Sequence, residues 1–419
     1  MDASILRNGK GCLSSPDTCI LLVRRSLGEG GTPVTFFSTF QLFNFILQLL
    51  RLKYNRVIMR IMLDAHFLDK KKEGNRTFVL SLIAGLDALC SETDDFSFFL
   101  ATYNPDYWRQ RFPSANLRWV SCSRNAWRRY LLDFPRLIRR HDIQLIQHTY
   151  HLPVWGIPAK VAKVVVVHDI LPLTNPRQFS HAFRWRFTLM LRRSLRRADR
   201  VVCGSRFTRD ALVREMGVEP SRIRVIPYGV RIPVQSPEIT SVSREATALY
   251  VGRLDRRKNL DKLLDIIEAV NERMSVTLVV AGRRENVSAA VMTRLHRLSR
   301  LGMVRYLGQV ADEALENLFH SSGVLLYFPE AEGFGYPVLE AMAHGLPYLT
   351  AGSGAIAESA AEENLVDPDD TQGVARKVER ILTDPEYRSG LVKDGLQRVR
   401  LRSVEVMSRE FIQLYGEMG

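Results

Sequence analysis

Two acidic side chains eight residues apart flank a glycine-rich stretch in the last quarter of the chain. Glu332 begins the sequence E-G-F-G-Y-P-V-L-E, which ends at Glu340. Pro337 suits the first turn of a helix, and Gly345 suits its left-handed end. The pattern predicts a loop whose backbone N–H groups meet a ligand at a helix N-terminus. The two carboxylates could accept hydrogen bonds from the paired hydroxyls of a sugar or a ribose.

A second candidate element is the basic loop G-R-L-D-R-R-K-N at residues 252–259. It follows a predicted strand and precedes a predicted helix. Arg253 and Lys258 could neutralise the negative charge that a nucleoside diphosphate gains as its bond to a sugar breaks. The alternative is a solvated basic turn that also contains Arg256 and Arg257.

A third candidate is the pair His168 and Asp169, which ends the apolar run V-V-V-V-H-D. Such a run predicts a strand that is buried on both faces. Both side chains are then expected at the carboxyl end of that strand, where open α/β sheets bind ligands. The alternative is a structural histidine, which is the more common role for a single histidine at a strand end.

Together these stretches resemble the retaining glycosyltransferases of family 4. Residues 330–347 are similar to the E-x7-E motif of that family, and residues 252–259 to its G-R-x-x-x-x-K-N element. Residues 168–172 are similar to its H-D-x-x-P element. The resemblance covers the chain from residue 59 to the C-terminus and is strongest in the second half.

The resemblance assigns roles to the matching residues. It implies that Glu332 contacts the transferred sugar, that Glu340 contacts the nucleotide ribose, and that His168 approaches the donor sugar. Arg253 and Lys258 would hold the donor pyrophosphate. The predicted catalytic residues are His168, Glu332, Arg253 and Lys258. The predicted donor-binding residues are Gly252, Arg253, Lys258, Gly333, Phe334, Gly335 and Glu340.

The implied reaction uses a nucleotide-sugar, retains the anomeric configuration and requires no cofactor or metal. Metal-dependent glycosyltransferases commonly use an Asp-x-Asp motif, but the Asp-Pro-Asp at residues 367–369 is typical of a turn after a late strand. The sequence departs from the family pattern at Tyr228, where Asn is more usual, which leaves the polar role of that position open. It also departs at Ala357, where a proline more often precedes the equivalent of Glu358.

The elements that position these residues are predicted by short apolar runs that alternate with helical stretches from residue 59 onward. This alternation is typical of parallel βαβ units. We therefore predict an α/β GT-B fold, with two doubly wound Rossmann-like domains that face each other across a cleft. The predicted strands lie at 60–65, 96–103, 117–122, 143–150, 163–169, 201–205, 224–228, 248–252, 276–282, 304–308, 324–328, 348–351 and 365–367.

Composition divides the chain into four segments. Residues 1–58 form an N-terminal extension, interpreted as an upstream start-site artefact, a membrane-associated segment or a cleaved signal. Residues 59–235 form the acceptor-side domain, residues 236–246 a linker, and residues 247–419 the nucleotide-sugar-binding domain. Five cysteines without a C-x-x-C pair argue against a disulfide framework and a zinc cluster, and favour a reducing cytoplasm.

Charge is distributed unevenly among these segments. The whole chain carries a formal charge of +14; residues 59–235 carry +15, residues 1–58 carry +4, and the remainder carries −5. A basic half attracts phosphates of lipids, of pyrophosphate-linked acceptors or of nucleic acid. The predicted helix at 183–198 places six arginines among aromatic and aliphatic residues, which suits an anionic membrane surface. The alternative is a core-facing helix with a solvated arginine face.

These observations predict a hexosyltransferase, mannosyl or glucosyl, that acts on a carbohydrate or lipid-linked acceptor in cell-surface polysaccharide or glycolipid synthesis. The expected location is the cytoplasm or the cytoplasmic face of a membrane, with an anionic membrane surface as a partner and nucleic acid as an unlikely one. Two alternatives remain at this point. One is a nucleotide-sugar epimerase on the same fold, and the other is a non-catalytic protein that binds membranes or nucleic acid through its basic half.

Overall fold

The computed structural model describes residues 58–70, 74–153, 155–233 and 246–419. The N-terminal extension and the linker predicted at 236–246 lie outside the described residues, apart from residues 58 and 246. The chain from Met59 to Gly419 forms one compact unit. Among the described residues, no helix combines the length and the apolar character needed to cross a bilayer.

The first half of this unit builds a seven-stranded parallel sheet in the order β3-β2-β1-β4-β5-β6-β7. The interior strands of this sheet are apolar because both of their faces are covered. In β5, Val164 and Val166 pack in one core cluster, while Val165 and Val167 pack in another on the opposite face. The strands are β1 (Met59–Asp64), β2 (Phe96–Thr102), β3 (Leu117–Ser121), β4 (Leu145–Thr149), β5 (Ala162–Val167), β6 (Arg200–Cys203) and β7 (Ile223–Val225).

The second half builds a five-stranded parallel sheet in the order β10-β9-β8-β11-β12. Its strands are β8 (Thr247–Val251), β9 (Thr277–Ala281), β10 (Val304–Gly308), β11 (Val324–Tyr327) and β12 (Tyr348–Thr350). The prediction of a strand at 365–367 is wrong, because Leu365 makes only an isolated bridge to Thr350. The chain beyond it reaches Pro368, which has no N–H to donate, and turns where the N–H of Asp369 bonds the Asp367 carboxylate at 2.9 Å.

Helices connect the strands of the first sheet. They are α1 (Gly74–Ala88), α2 (Pro105–Arg111), α3 (Ala126–Arg128), α4 (Phe134–Arg140), α5 (Leu171–Thr174), α6 (His181–Arg197) and α7 (Arg206–Met216). A π-helical segment at Arg129–Asp133 interrupts the helical run between α3 and α4. Pro135 explains the interruption, because its ring cannot donate to the carbonyl four residues earlier and clashes with it.

Helices of the second half follow the same βα alternation. They are α8 (Leu260–Asn271), α9 (Ala289–Arg300), α10 (Asp312–Ser321), α11 (Tyr336–Ala343), α12 (Thr371–Thr383), α13 (Pro385–Arg400) and α14 (Val404–Gly416). Helix α11 begins after Gly335, whose φ is 92°, and ends before Gly345, whose φ is 58°. Both ends of this helix therefore agree with the sequence prediction.

The C-terminal helix α14 packs against the first sheet's helix α1, although the sequence boundary 247–419 assigned it to the second domain. The Ser408 hydroxyl donates to the Leu82 carbonyl at 3.2 Å, and the Tyr415 hydroxyl donates to Gln147 at 2.7 Å. Arg409 forms a two-pronged pair with Glu92. The last helix therefore joins the end of the chain to the first half.

Both sheets reverse their strand order next to a central strand, at the β1–β4 boundary in the first and the β8–β11 boundary in the second. Such switch points open crevices at the carboxyl ends of parallel strands, where ligands bind. The loops that carry His168, Arg253 and Glu332 all leave their strands at these carboxyl ends. The fold therefore brings the predicted site residues toward a common region.

Substitution of Gly85 tests the contact between α1 and α14. A Cβ at Gly85 would lie 2.1 Å from the Ser408 hydroxyl and 2.3 Å from the Val404 carbonyl oxygen, whereas a Cβ at the helical Gly390 would meet nothing within 4 Å. We expect Gly85→Ala to lower the free energy of unfolding by about 1–3 kcal/mol. Gly390→Ala should be neutral or stabilising by up to about 1 kcal/mol. Urea unfolding measures both, and equal stability of the two variants would contradict this packing.

Candidate active site

A cavity of about 500 Å³ lies between the two sheets and receives residues from both halves of the chain. All of the predicted site residues line it. The lining residues from the first half include Arg76, Tyr150, His168, Asp169 and Tyr228. Those from the second half include Gly252, Arg253, Arg257, Lys258, Gly333, Phe334, Gly335, Glu332 and Glu340.

Lys258 and Glu332, whose side chains are 9% and 18% exposed, form a largely buried ion pair on the second-half wall of this cavity. Lys258 ends a short 3-10 turn, Arg256–Lys258, which the carboxylate of Asp255 caps by accepting the N–H of Arg257 at 3.1 Å. The Lys258 ammonium also donates to the Tyr327 hydroxyl. Two predicted site residues from different loops are therefore in direct contact.

The charge state of Glu332 is set by this pair. Burial by itself would raise the pKa of the Glu332 carboxyl, but the Lys258 ammonium, the Arg257 guanidinium and a hydrogen bond with Tyr327 together lower it below its usual range. Glu332 is consequently an anion at neutral pH, able to accept hydrogen bonds but not to donate a proton. This state suits a residue that orients hydroxyl groups.

The cations of the basic loop differ in their surroundings. Arg253 lines the cavity, and its Nη1 donates to both carboxylate oxygens of Glu285, at 3.2 and 3.1 Å. Arg257 lines it too, and its side chain is only 14% exposed beside Asp255, at 3.3 Å. The reading of Arg257 as part of a solvated turn is therefore wrong. Its position inside the cleft depends on the tight turn at 256–258, which the sequence spacing does not reveal.

His168 is buried at the carboxyl end of β5, as predicted, and packs against the rings of Phe78, Tyr150 and Tyr228. Its Nδ1 lies 2.8 Å from the Tyr228 hydroxyl. Burial lowers the pKa of His168 to about 3, so the ring is neutral at physiological pH. Among the described residues, its Nε2 atom has no hydrogen-bond partner. A neutral imidazole with one nitrogen held by a hydroxyl suits a ligand contact through the other nitrogen.

Tyr228 has a polar role despite the departure from the more usual Asn. Its hydroxyl bonds His168, and its ring lies 4.7 Å from that of Phe334 in the second half of the chain. Burial raises the pKa of Tyr228 well above its usual range, so the hydroxyl keeps its proton. The residue joins the histidine of one domain to the glycine-rich loop of the other.

The two glycines of that loop are required for different reasons. A Cβ at Gly333 would lie 2.5 Å from the His168 carbonyl oxygen and 2.6 Å from the Asp169 Cβ, so Gly333 permits contact between the domains. Gly335 immediately precedes helix α11 and has a φ of 92°, a backbone conformation that would be strained for a residue with a side chain. Glu340 lies in this helix and lines the cavity.

Comparison with known proteins is consistent with this geometry. Residues 74–232 match the family model described as Glycosyltransferase Family 4, and residues 232–398 match the model described as Glycosyl transferases group 1. The two matches meet at residue 232 and together cover residues 74–398. The chain belongs to the group 1 glycosyltransferases. The predicted family and the predicted enzyme class, a glycosyltransferase, are confirmed.

Individual relatives agree with the family. The chain is 28% identical to the O-antigen chain mannosyltransferase B of Escherichia coli over 282 residues. This alignment covers 64% of this chain and 74% of that protein. It is 26% identical over 258 residues to the O-antigen chain mannosyltransferase RfbU of Salmonella typhimurium, with coverages of 61% and 70%. The solved structure of Anabaena Alr3699/HepE in complex with UDP and glucose has a TM-score of 0.64 at 18% identity, over 86% of this chain and all of that one. The predicted GT-B fold is confirmed.

A carboxylate from the second half of this glycosyltransferase caps a helix of the first half. Both oxygens of Glu358 accept backbone N–H groups at the start of α7, from Arg206 at 2.9 Å and Phe207 at 2.7 Å. A carboxylate at a helix N-terminus is favourable because it satisfies otherwise unpaired N–H groups. Ser205 adds a bond to the Gly333 carbonyl at 3.2 Å. The sequence marked Glu358 only as a weak family match, and its partner lies 151 residues away.

Two further residues of the glycosyltransferase line the cleft: Tyr150, which no sequence motif marked, and Asp169, which the sequence paired with His168 without assigning it a role. Tyr150 follows β4 with a φ of 60°, and the His151 N–H reaches back to the Thr149 carbonyl at 2.7 Å, which makes a tight turn around Tyr150. Asp169 lies beside it, and burial together with the nearby Glu332 carboxylate raises the pKa of its carboxyl. The feature that marks Tyr150 as a candidate site residue is structural: a bulky residue with a positive φ is uncommon, and such residues cluster at functional sites.

Replacement of Lys258 tests the ion pair. We expect Lys258→Met to lower transfer activity by at least about tenfold, because a charge-assisted contact contributes about 1.5–3 kcal/mol. The change also leaves Glu332 buried without its main partner, so the variant should unfold at a lower urea concentration. The double variant Lys258→Met, Glu332→Gln should recover stability but not activity. The exposed Arg256→Met is the matched control, and full activity of Lys258→Met would contradict the assignment.

The low pKa of His168 predicts a pH effect on stability. The unfolded histidine has a pKa of about 6.5, so below that pH the unfolded chain binds a proton that the native ring does not. The contribution of His168 to the free energy of unfolding is therefore complete above the pKa of the unfolded histidine. It falls as the pH is lowered, by about 2 kcal/mol at pH 5. Urea unfolding at pH 8 and pH 5 should show this extra loss in the wild type relative to His168→Gln. The exposed His181→Gln is the control and should behave as the wild type does; an equal loss in all three proteins would argue against a buried neutral His168.

Proposed function

We propose that this protein is a retaining hexosyltransferase that moves mannose from a nucleotide-sugar to a carbohydrate or lipid-linked acceptor of a cell-surface polysaccharide. Two relatives that each align over about 60% of the chain are named O-antigen chain mannosyltransferases, which supports the mannosyl group and the polysaccharide acceptor. The UDP and glucose in the complex of Alr3699/HepE support a nucleotide-sugar donor on the same fold.

The observation that carries the proposal is the shared cavity, where three cations of one loop and two carboxylates, one in the glycine-rich loop and one in helix α11, meet a neutral histidine from the opposite domain. Arg253, Arg257 and Lys258 supply positive charge where a diphosphate would leave. Glu332 and Glu340 supply acceptors for sugar and ribose hydroxyls. Preorganised charge of this kind stabilises a departing diphosphate without reorganisation during the reaction.

In the proposed reaction the C1–O bond between the sugar and the diphosphate breaks as the acceptor hydroxyl oxygen bonds to C1 from the same face. The hydroxyl proton passes to an oxygen of the leaving diphosphate, so the atoms and charges balance. No side chain acts as a covalent nucleophile. The three basic-loop cations take the place of a metal ion, and the described cluster with metal-ligating side chains, Glu316, His320 and His344, does not line the cavity.

Donor choice and stereochemistry can be measured in sequence. Thermal unfolding with GDP, UDP and ADP identifies the base, because a nucleotide at 100 times its Kd stabilises the native state by about 2.7 kcal/mol. The matching nucleoside diphosphate sugars, with mannose and glucose compared, are then incubated with a mannose-terminated oligosaccharide. We expect a mannosylated product with the donor's anomeric configuration by NMR, and the same rate with and without EDTA.

Each contrary result removes a different part of the proposal. An inverted anomer would exclude retention, and loss of the rate in EDTA would exclude the metal-independent mechanism. Isomerisation of the donor in the absence of any acceptor would favour the epimerase alternative, which the names of the relatives described above do not support. Absence of binding by all three nucleotides would exclude the donor site itself.

A further inference from the structure

Three exposed tryptophans mark one edge of the first domain. Of the five tryptophans in the chain, Trp108 and Trp119 are buried, whereas Trp127, Trp155 and Trp185 are 74%, 59% and 70% exposed. A single exposed aromatic side chain is common, but several that share one surface mark an interaction site. We call Trp127, Trp155 and Trp185 the tryptophan rim.

The topology places the rim beside the mouth of the cleft. Trp127 follows the carboxyl end of β3, Trp155 follows that of β4, and Trp185 lies in the second turn of α6, the helix that comes after β5. Carboxyl ends of parallel strands meet at one edge of a sheet, and the same edge carries the cavity residues Tyr150 and His168. The rim therefore borders the acceptor side of the cleft.

The elements that carry the rim are packed into one surface. Residues Phe134 and Ile138 of α4 join the same core cluster as Leu191 and Leu195 of α6, so both helices cover one face of the sheet. The loop between β4 and β5 joins them. The Leu152 N–H donates to Ser194 of α6 at 3.0 Å, and a Cβ at Gly156 would lie 2.6 Å from Pro135 of α4. The outward sides of the two helices consequently face the same direction.

Positive charge covers the outward sides behind the rim. Helix α6 contains six arginines and no acidic residue, and Arg186, Arg192, Arg193 and Arg196 are exposed. Residues 126–140 contain the single acid Asp133 and five arginines, of which Arg129 is buried and the other four are exposed. The exposed Leu132 and Leu189, at 45% and 50%, lie among them. A surface that combines arginine, tryptophan and aliphatic side chains on one face has the composition typical of a membrane interface.

We propose that the tryptophan rim and the arginine faces of α4 and α6 form a docking surface for an anionic phospholipid membrane. The arginines attract lipid phosphates, while the tryptophans and the two leucines insert at the boundary of headgroups and acyl chains. Nucleic acid would satisfy the charge but would leave Leu132 and Leu189 in water, so the lipid surface fits better. Docking here would hold the cleft mouth at the membrane; its use for a lipid-linked acceptor rests on the proposed function, whereas the binding itself does not.

Vesicle binding without substrates tests the surface directly. The wild type should sediment with vesicles of phosphatidylglycerol and phosphatidylcholine mixed at about 1:2 and not with pure phosphatidylcholine, and high salt should weaken the binding. The triple variant Trp127→Ser, Trp155→Ser, Trp185→Ser should bind at least about tenfold more weakly. The matched control is Leu301→Ser with Leu401→Ser, which removes side chains that are 63% and 75% exposed in the second domain.

Tryptophan fluorescence adds a readout that general charge attraction would not produce. Anionic vesicles should shift the wild-type emission to shorter wavelength, and the triple variant, which keeps only the two buried tryptophans, should show no shift. Equal binding by the wild type and the triple variant, or an equal loss in the leucine control, would overturn the proposal. So would RNA that displaces the vesicles and binds the triple variant as well as the wild type. Transfer to a water-soluble acceptor should be unchanged in the triple variant, which separates failure of docking from failure of the transferase assignment.

Discussion

The buried ion pair between Lys258 and Glu332 is the constraint around which the cleft is organised. Removal of two charges from water costs several kcal/mol per ion, so each charge needs a partner and further hydrogen bonds. The Tyr327 hydroxyl lies within 3.2 Å of Glu332 and also accepts from Lys258, and the positive charge of Arg257 is close enough to act on the same carboxylate. A donor diphosphate offers Lys258 a second anion. The pair therefore keeps Glu332 as an anion and fixes the positions of both side chains before any substrate arrives.

Contacts between the domains give that pair its opposite wall. Gly333 touches the backbone of His168 and the side chain of Asp169, and Glu358 caps a helix in the other domain. The ring of Tyr228 also packs 4.7 Å from that of Phe334, so the contact at the cleft has an aromatic part as well. Helix α14 adds a second connection, in which Phe411 packs against Phe78 of α1. The two domains are therefore joined both at the cleft and through the C-terminal helix.

The features that the sequence predicted correctly are those that depend on residues close together in the chain. Apolar runs predicted twelve of the strands, and the spacing of glycine, proline and glutamate predicted the loop and helix at 332–345. The omissions of α14 and Glu358 share one cause, which is dependence on a distant partner: α14 packs on the other domain, and Glu358 caps the start of α7. The strand predicted at 365–367 fails for a local reason, because the turn at Pro368 and Asp369 ends it after one bridge. Arg257 was missed because only the folded turn directs its side chain inward.

The tyrosine at position 228 limits what His168 can contribute. With a pKa of about 3 the ring is not an imidazolium at neutral pH, so it cannot serve as a cationic acid there. Its Nδ1 is 2.8 Å from a hydroxyl whose raised pKa keeps it protonated. When that hydroxyl donates to Nδ1, the ring proton resides on Nε2, which becomes a neutral donor to a sugar oxygen. When Nδ1 donates instead, Nε2 is an acceptor for a sugar hydroxyl. In either tautomer His168 orients a substrate by hydrogen bonding, and stabilisation of the leaving charge falls to the basic loop across the cleft.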